Sequence, residues 1–562
     1  MRLLVALAVS VQPAMLPAQT LLPQPADMLP TAQAPRDVPY PGTLMLDVDA
    51  TGAAQGIFRV RETIPVAGGP TILYFPQWKP GNHAPTGPLQ NIAGLSFTVG
   101  GKPVTWTRDP VNMFAFHLDL PAGAREVLAR FQYLAPQRGG GMYRVVTTPN
   151  LLDLQWDSMT LYPAAYYVRG IRVKPSATWP AGWTAFTALR GAKAGDRTSY
   201  DAVALDILLD SPVHAGRYAR QIALDAQVSL DLVGDRPAAI AIDDAEIARA
   251  RAVVTQADKL FGTRHFDHYD MLIAASDVES GQGLEHHRSF EIAMPGNFLV
   301  NPDTRINRSV LPHEYVHSWN GKFRRPADLW TADYNTPMRN SLLWVYEGQT
   351  EFWGNVLAAR SGTMSRQDYL DTLAMVAADY TEGNRGARWR PLQDTTNDPI
   401  INNHGPGSDW PSWSRRLDYY NNGELVWLEV DQLIRQRTGG AKGLDDFARA
   451  FFGVEPGQWD HEATYRFADV VADLNAVTPY DWAGFLRQRL DGLDPKTTLA
   501  GIEAGGYRLV FTDTPTAGLK PLLQGGKSDD LFYSIGFGIR ADGAIGGVRW
   551  MAQVSGRGCI PA

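Results

Sequence analysis

The pentapeptide His313-Glu314-Tyr315-Val316-His317 constrains this chain more than any other feature. Residues four apart share one face of a helix, so the two imidazoles converge only if the segment is helical. Placed that way they can hold one divalent cation, with Glu314 beside them to take a proton from a cation-bound water. Pro312 is compatible with this: with Ser309 as N-cap it falls in the first turn, where no backbone donor is needed. A catalytic zinc takes three protein ligands and keeps one position open. The third is sought in Leu343-Trp344-Val345-Tyr346-Glu347-Gly348-Gln349-Thr350-Glu351, which also reads as helix. Glu347 and Glu351 share a face of it. Glu347 is flanked by Trp344, Val345 and Tyr346, a setting in which an unpaired carboxylate is costly. It is the expected ligand, with Glu351 as the partner of a ligand histidine. The expectation is one Zn²⁺ per chain, held by His313, His317 and Glu347.

The rest of the chain supplies the scaffold. Strand-like runs at 44–48, 57–61, 95–99 and 114–118 are separated by glycine and proline turns, which predicts a β-sandwich over 41–225. The period changes near 240. Asp243 and Asp244 can cap a helix from Ala245 to Phe261 that Gly262 ends, and Tyr269 to Ala275 reads as a strand. Helices are expected over 309–320, 341–360 and 421–437, and through most of 443–495. From about 505 the chain returns to glycine and short strands. The unit holding the pentapeptide is placed at 226–395, a helical domain completing the site at 396–500, and a last segment at 501–562. At the other end, Arg2, the apolar run Leu3 to Val11 and small residues up to Ala18 read as a secretory signal over 1–18. This implies an exported protein, periplasmic or secreted. Residues 19–40, rich in Pro, Ala and Gln, are expected to be an unstructured linker.

Composition narrows the options. The single cysteine, Cys559, excludes a disulfide framework and a cysteine-rich metal site. A net charge of -7 without long runs of either sign argues against a nucleic-acid partner. After the leader no segment is apolar over the roughly 18 residues of a membrane span, so no stable membrane insertion is expected. The sequence does not reveal an oligomeric state.

Several stretches together resemble the glycyl aminopeptidase family of zinc peptidases. They are His313 to Pro326 with Leu342 to Thr350, Leu73-Tyr74-Phe75-Pro76-Gln77-Trp78-Lys79-Pro80-Gly81, Gly283-Leu284-Glu285-His286 and Tyr419-Tyr420-Asn421-Asn422-Gly423. The resemblance runs from about 40 to 500. It implies a multidomain fold in which a thermolysin-like α+β zinc peptidase domain follows the β-domain, then a helical region and a PDZ domain. It implies an aminopeptidase acting on peptides, favouring small N-terminal residues such as Gly or Ala. By resemblance Gly283 and Glu285 lie on a substrate-binding strand, Glu285 meets the substrate's α-amine, and Tyr420 stabilises the oxyanion. Elementary chemistry agrees: an exopeptidase must recognise a terminal cation, and a phenol can donate to a developing O⁻. Tyr419 is the rival of Tyr420. His286 and His287 read as loop or core histidines rather than a second metal pair. Tyr533-Ser534-Ile535-Gly536-Phe537-Gly538 resembles a PDZ carboxylate loop, but too little chain follows for the groove's helix, so 501–562 is expected to be an incomplete PDZ-like end. Two other readings stand beside the aminopeptidase: an endopeptidase on the same metal site, and a non-catalytic scaffold with a vestigial one.

Overall fold

The computed structural model describes residues 28–548 apart from 137–143, 279–280, 403–409, 494–498, 521–527, 534–535, 541–542 and 547. The expected secretory signal lies outside the described residues, as do Ser534 and Ile535 of the PDZ-like loop.

Alternation builds the N-terminal domain. In β1 (Thr43–Gly52) Leu44, Leu46, Val48 and Ala50 all point inward, and in β2 (Ile57–Pro65) Phe58, Val60 and Ile64 do so. A period of two puts every second side chain on the core face of a sheet. β1 pairs in parallel with a strand at Arg172–Thr178 and antiparallel with β2, and β2 continues to Glu126–Leu134 within a nine-stranded sheet. A four-stranded sheet built on Gly69–Tyr74 and Ala115–Leu120 shares its core. One inward residue breaks the pattern. Glu62 is fully buried among these apolar side chains, accepting hydrogen bonds from Thr160 Oγ1 (2.7 Å) and the Leu161 amide (2.8 Å). The linker expectation needs correction at its end. The Arg36 amide donates to Ala165 O, the Tyr40 amide to Gly170 O, and the Tyr40 ring packs edge-on to Tyr166, so 36–40 is pinned to the domain.

The next sheet starts earlier than the expected boundary at 226. β3 (Tyr218–Ala223) already belongs to it, in the order β3, β4 (Val228–Gly234), β5 (Tyr269–Ala275), β7 (Ser289–Met294), β6 (Gln282–Glu285). β6 is an edge strand, antiparallel to β7. Helix α1 (Asp244–Phe261) forms as its signals dictate: the Asp243 carboxylate accepts from the Glu246 amide, and Gly262 ends the helix at φ 75°. Helix α2 (Val310–Val316) is shorter than expected, with His317 as its last cap, and Ser309 precedes it without side-chain capping. The expected helix at 341–360 is interrupted at Glu347, leaving α3 (Leu343–Tyr346) and α4 (Gly348–Ser361). Helix α5 (Asn421–Thr438) and three further helices, Leu444–Phe452, Phe467–Val477 and Trp482–Asp491, complete this core.

The two cores interlock. Trp78, from the N-terminal domain, is part of the second core, and Tyr334, from the second domain, is part of the first. Tyr334 O accepts from the amides of Gln77 and Trp78. At the C-terminal end Ser528–Asp530, Gly538–Arg540 and Ile545–Gly546 form a small antiparallel sheet, and no helix follows among the described residues. A PDZ groove is therefore not seen in them. No helix among the described residues is long and apolar enough to cross a membrane.

Candidate metal centre

The centre forms where α2, α4 and β6 meet. Helices α2 and α4 pack closely because Gly354 lies against His313: a Cβ there would be 2.9 Å from His313 Cβ. This brings Glu347 and Glu351, one turn apart on α4's entry, against the two histidines. His313 Nε2 and His317 Nε2 are 3.2 Å apart, and Glu347 Oε2 lies 3.3 Å from the latter and 3.6 Å from the former.

Proton positions follow from the neighbours. His317 Nδ1 is 2.8 Å from Asn320 O, which can only accept, and His313 Nδ1 is 2.9 Å from Glu351 Oε2. Each Nδ1 thus has an acceptor, which leaves both Nε2 atoms to serve as metal donors, the usual arrangement of metal-bound histidines. Glu347 Oε2 is buried with no hydrogen-bond donor. Three donor atoms about 3.3 Å apart match the edges of a tetrahedron with bonds of about 2.0–2.1 Å. The donor set therefore fits a zinc ion, and a dication would also offset the buried carboxylates of Glu285, Glu314 and Glu347.

Electrostatics in the bare protein answer the same crowding. Burial alone would raise the Glu347 carboxyl, but His317, His313 and His83 outweigh it and hold it well below the usual carboxylate range. Burial would lower His313, yet Glu347 and Glu351 hold it well above the usual imidazole range. For Glu314 burial wins, with Glu285 and Glu347 adding to it, and the carboxyl is pushed up to about 7. A base poised near neutrality is suited to proton transfer.

Glu314 is held against β6. The missing side chain of Gly283 leaves its room: a Cβ there would be 2.2 Å from Glu314 Oε1. Two residues on, Glu285 is buried beside the centre, within metal-cluster distance of Glu314 and His317, and Tyr346 Oη donates to its Oε1. Tyr420 is the residue before α5, with its ring stacked on His313 at 6.2 Å between centroids. It is half-buried, whereas Tyr419 behind it is 1% exposed. Burial, then the nearby Glu347, hold the Tyr420 phenol well above its usual range, so it stays protonated and able to donate.

The structure thus brings together all seven residues singled out in the sequence. His286 and His287 lie apart from them. His286 Nδ1 faces Asp210 Oδ1 at 3.1 Å and is pushed up to about 9, with Asp210 and Glu291 outweighing burial, and burial drives His287 down to about 3. Sequence reasoning missed three residues. Asn320 donates through Nδ2 to Val345 O, Tyr346 O and Thr350 Oγ1, tying the end of α2 to α3 and α4. His83 donates to Glu347 Oε1 at 2.7 Å from the other domain. His214 joins Asp153 and Glu291 in a second buried cluster. None has a local signal; only Asn320, inside the stretch from His313 to Pro326, lay within a segment already marked.

Comparison with known proteins bears on the family and the fold. The family description M61 glycyl aminopeptidase matches residues 307–426, and the peptidase M61 N-terminal domain matches 45–217. Among solved structures, an aminopeptidase N family protein from Idiomarina loihiensis superposes with a TM-score of 0.67 at 18% identity, covering 87% of this chain and 79% of that one. An M1 zinc metallopeptidase from Deinococcus radiodurans is more distant, with a TM-score of 0.47 at 14% identity over 82% of this chain and 96% of its own. No curated protein matches the sequence. Fold and site together are those of a peptidase. More closely, the chain belongs to the M61 glycyl aminopeptidase family.

Proposed function

We propose that this chain is a zinc-dependent aminopeptidase that removes small N-terminal residues, Gly or Ala, from peptides, with one Zn²⁺ held by His313, His317 and Glu347. The observation that carries it is the triangle of Nε2, Nε2 and Oε2 atoms beside a buried Glu314. Zinc held by these residues would supply Lewis acidity for the scissile carbonyl and for the attacking water. Glu314 takes the proton from the attacking water and passes it to the leaving amine. Tyr420 donates its phenolic hydrogen to the oxyanion that develops. Glu285, backed by Tyr346, pairs with the substrate's α-ammonium and sets the register one residue from the bond to be cut. The N-terminal leader supports export as part of this reading.

One observation favours a second reading. Glu285 is 3% exposed and one of its oxygens is already occupied by Tyr346. If a substrate amine does not reach it, the same centre is that of an endopeptidase. The test is metal analysis of purified protein together with turnover of glycyl and alanyl chromogenic amides and of an N-blocked peptide. Zinc at one per chain with cleavage of free-amine substrates alone is expected. Glu314→Gln should keep the zinc and lose about 10²–10⁴-fold in rate. Metal-free protein of full activity, or zinc-replete Glu314→Gln turning over normally, would remove the proposal.

A further inference from the structure

His83 lies on the loop Lys79–Thr86 of the N-terminal domain, yet it is buried in the metal centre of the other domain. Its Nε2 is 2.7 Å from Glu347 Oε1, and its ring meets Tyr346 edge-on at 4.9 Å. A carboxylate can only accept, so Nε2 carries the hydrogen. This leaves the other oxygen, Oε2, turned to His313 and His317. A carboxylate on a short side chain at a helix break can rotate about its last bond; a donor fixed on one oxygen stops that rotation.

The loop is built to present this one group. His83 has a left-handed backbone, φ 54°, which is uncommon for a residue with a side chain. Strained backbone of this kind persists only when its surroundings over-determine it. Here they do. Asn340 Nδ2 donates to His83 O at 2.9 Å, from just ahead of α3. Asn82 Nδ2 donates to Thr86 Oγ1, and Arg144 bridges Asn82 Oδ1 (3.0 Å) to Gly283 O (3.1 Å) on β6. Lys79 is ion-paired with the buried Asp157 at 2.6 Å.

We infer that His83 is a positioning residue of the metal centre: the N-terminal domain sets the affinity for zinc by holding Glu347 with one oxygen aimed at the two histidines. The inference rests on the zinc reading above. Hydrogen-bond partners of metal ligands contribute about 10–100-fold to affinity.

Two isosteric polar variants separate this role from packing. A glutamine can place its amide NH₂ near the position of His83 Nε2, whereas an asparagine reaches only to that of Nδ1. Asparagine also tolerates the left-handed backbone well, so strain cannot account for a defect in His83→Asn. Zinc affinity of the full chain is measured by chelator competition, with circular dichroism of the zinc-free proteins as a folding control and cobalt spectra of the loaded ones. His83→Asn should bind zinc about 10–100-fold more weakly than the parent, and His83→Gln within about threefold of it. Both should keep the parent's cobalt spectrum, since no ligand is lost. Parental affinity in His83→Asn overturns the inference, as does equal weakening in both folded variants. A cobalt spectrum of altered coordination in His83→Asn overturns it too, because His83 would then be a ligand. If the parent itself binds no zinc, the metal assignment falls first, and the same titration shows it.

Discussion

Replacing Gly283 by alanine adds one methyl group at the most crowded point of the centre. Its Cβ would stand 2.2 Å from Glu314 Oε1, 2.9 Å from Cδ and 3.4 Å from Cγ. Ordinary non-bonded contact needs about 3.5 Å, so the carboxylate must retreat by about 1 Å, or β6 must move outward with Glu285. Neither is free, because Glu314 is 6% exposed and β6 is bonded along its length to β7. The metal ligands are not touched. Misplacing a catalytic group by about 1 Å costs on the order of 10²-fold in rate. Gly283→Ala should therefore hold zinc as the parent does, melt within a few degrees of it, and show kcat lower by about 10²-fold. The assay is metal content and kcat on an alanyl chromogenic amide, with Glu314→Gln alongside as the limiting case. Parental kcat in a zinc-replete Gly283→Ala would refute the claim that Glu314 works from the space this glycine leaves.

Tyr420→Phe should lower kcat by about 10²–10³-fold with little change in KM, since the contact strengthens only in the transition state. Tyr419→Phe should not; the reverse order in stopped-time assays would transfer the role to Tyr419. Glu285→Ala should lower kcat/KM for free-amine substrates by about 30-fold to several-thousand-fold, and the parent should barely cleave their acetylated forms; unchanged free-amine turnover would leave only the endopeptidase reading. Glu62 makes a test of stability. Burial pushes its carboxyl up to about 8, against the Thr160 and Leu161 hydrogen bonds that lower it. A carboxyl raised on folding is harmless below its unfolded pKa near 4.5 and destabilises progressively as pH rises to 8. Glu62→Gln can keep the network: Gln Oε1 accepts from the Leu161 amide, and its amide donates to Thr160, whose hydroxyl already reaches Leu161 O. The variant should match the parent in urea melts at pH 4 and exceed it by about 3 kcal/mol at pH 7, from about 1.4 kcal/mol per pH interval. An advantage that is the same at both pH values would show that Glu62 ionises as readily in the folded protein as in the unfolded chain.

The parts of this architecture that were legible are those written locally. The alternation of Leu44, Leu46 and Val48 produces β1, and Asp243 with Gly262 bounds α1 within a residue. The spacing of His313 and His317 and the apolar setting of Glu347 pointed to three groups that the fold places side by side. What escaped depends on tertiary partners. Glu62 occupies an inward position of β2 that alternation assigns to an apolar residue, and only Thr160 and Leu161, about a hundred residues away, explain it. The pattern at 341–360 is helical throughout, so nothing local marks the interruption at Glu347. Strand Tyr218–Ala223 looks like its predecessors and changes domain only through its pairing with Val228–Gly234. His83 sits in a turn-like Gly-Asn-His-Ala run, and its partner is 264 residues distant.

The exchange of Trp78 and Tyr334 bears on how substrate can enter. Two domains joined by an ordinary interface move by default, and many enzymes admit substrate by swinging one against the other. Here each domain has given an aromatic side chain to its neighbour's interior, and the Tyr334 carbonyl accepts from the amides of both Gln77 and Trp78 across the seam. A hinge opening would extract both rings at once. Truncating one large buried aromatic already costs about 3–5 kcal/mol, so withdrawing two would populate the open form far too rarely to feed a reaction. The two domains should therefore behave as one rigid wall with a fixed mouth. Any opening that admits a substrate would then have to leave this pair of contacts intact.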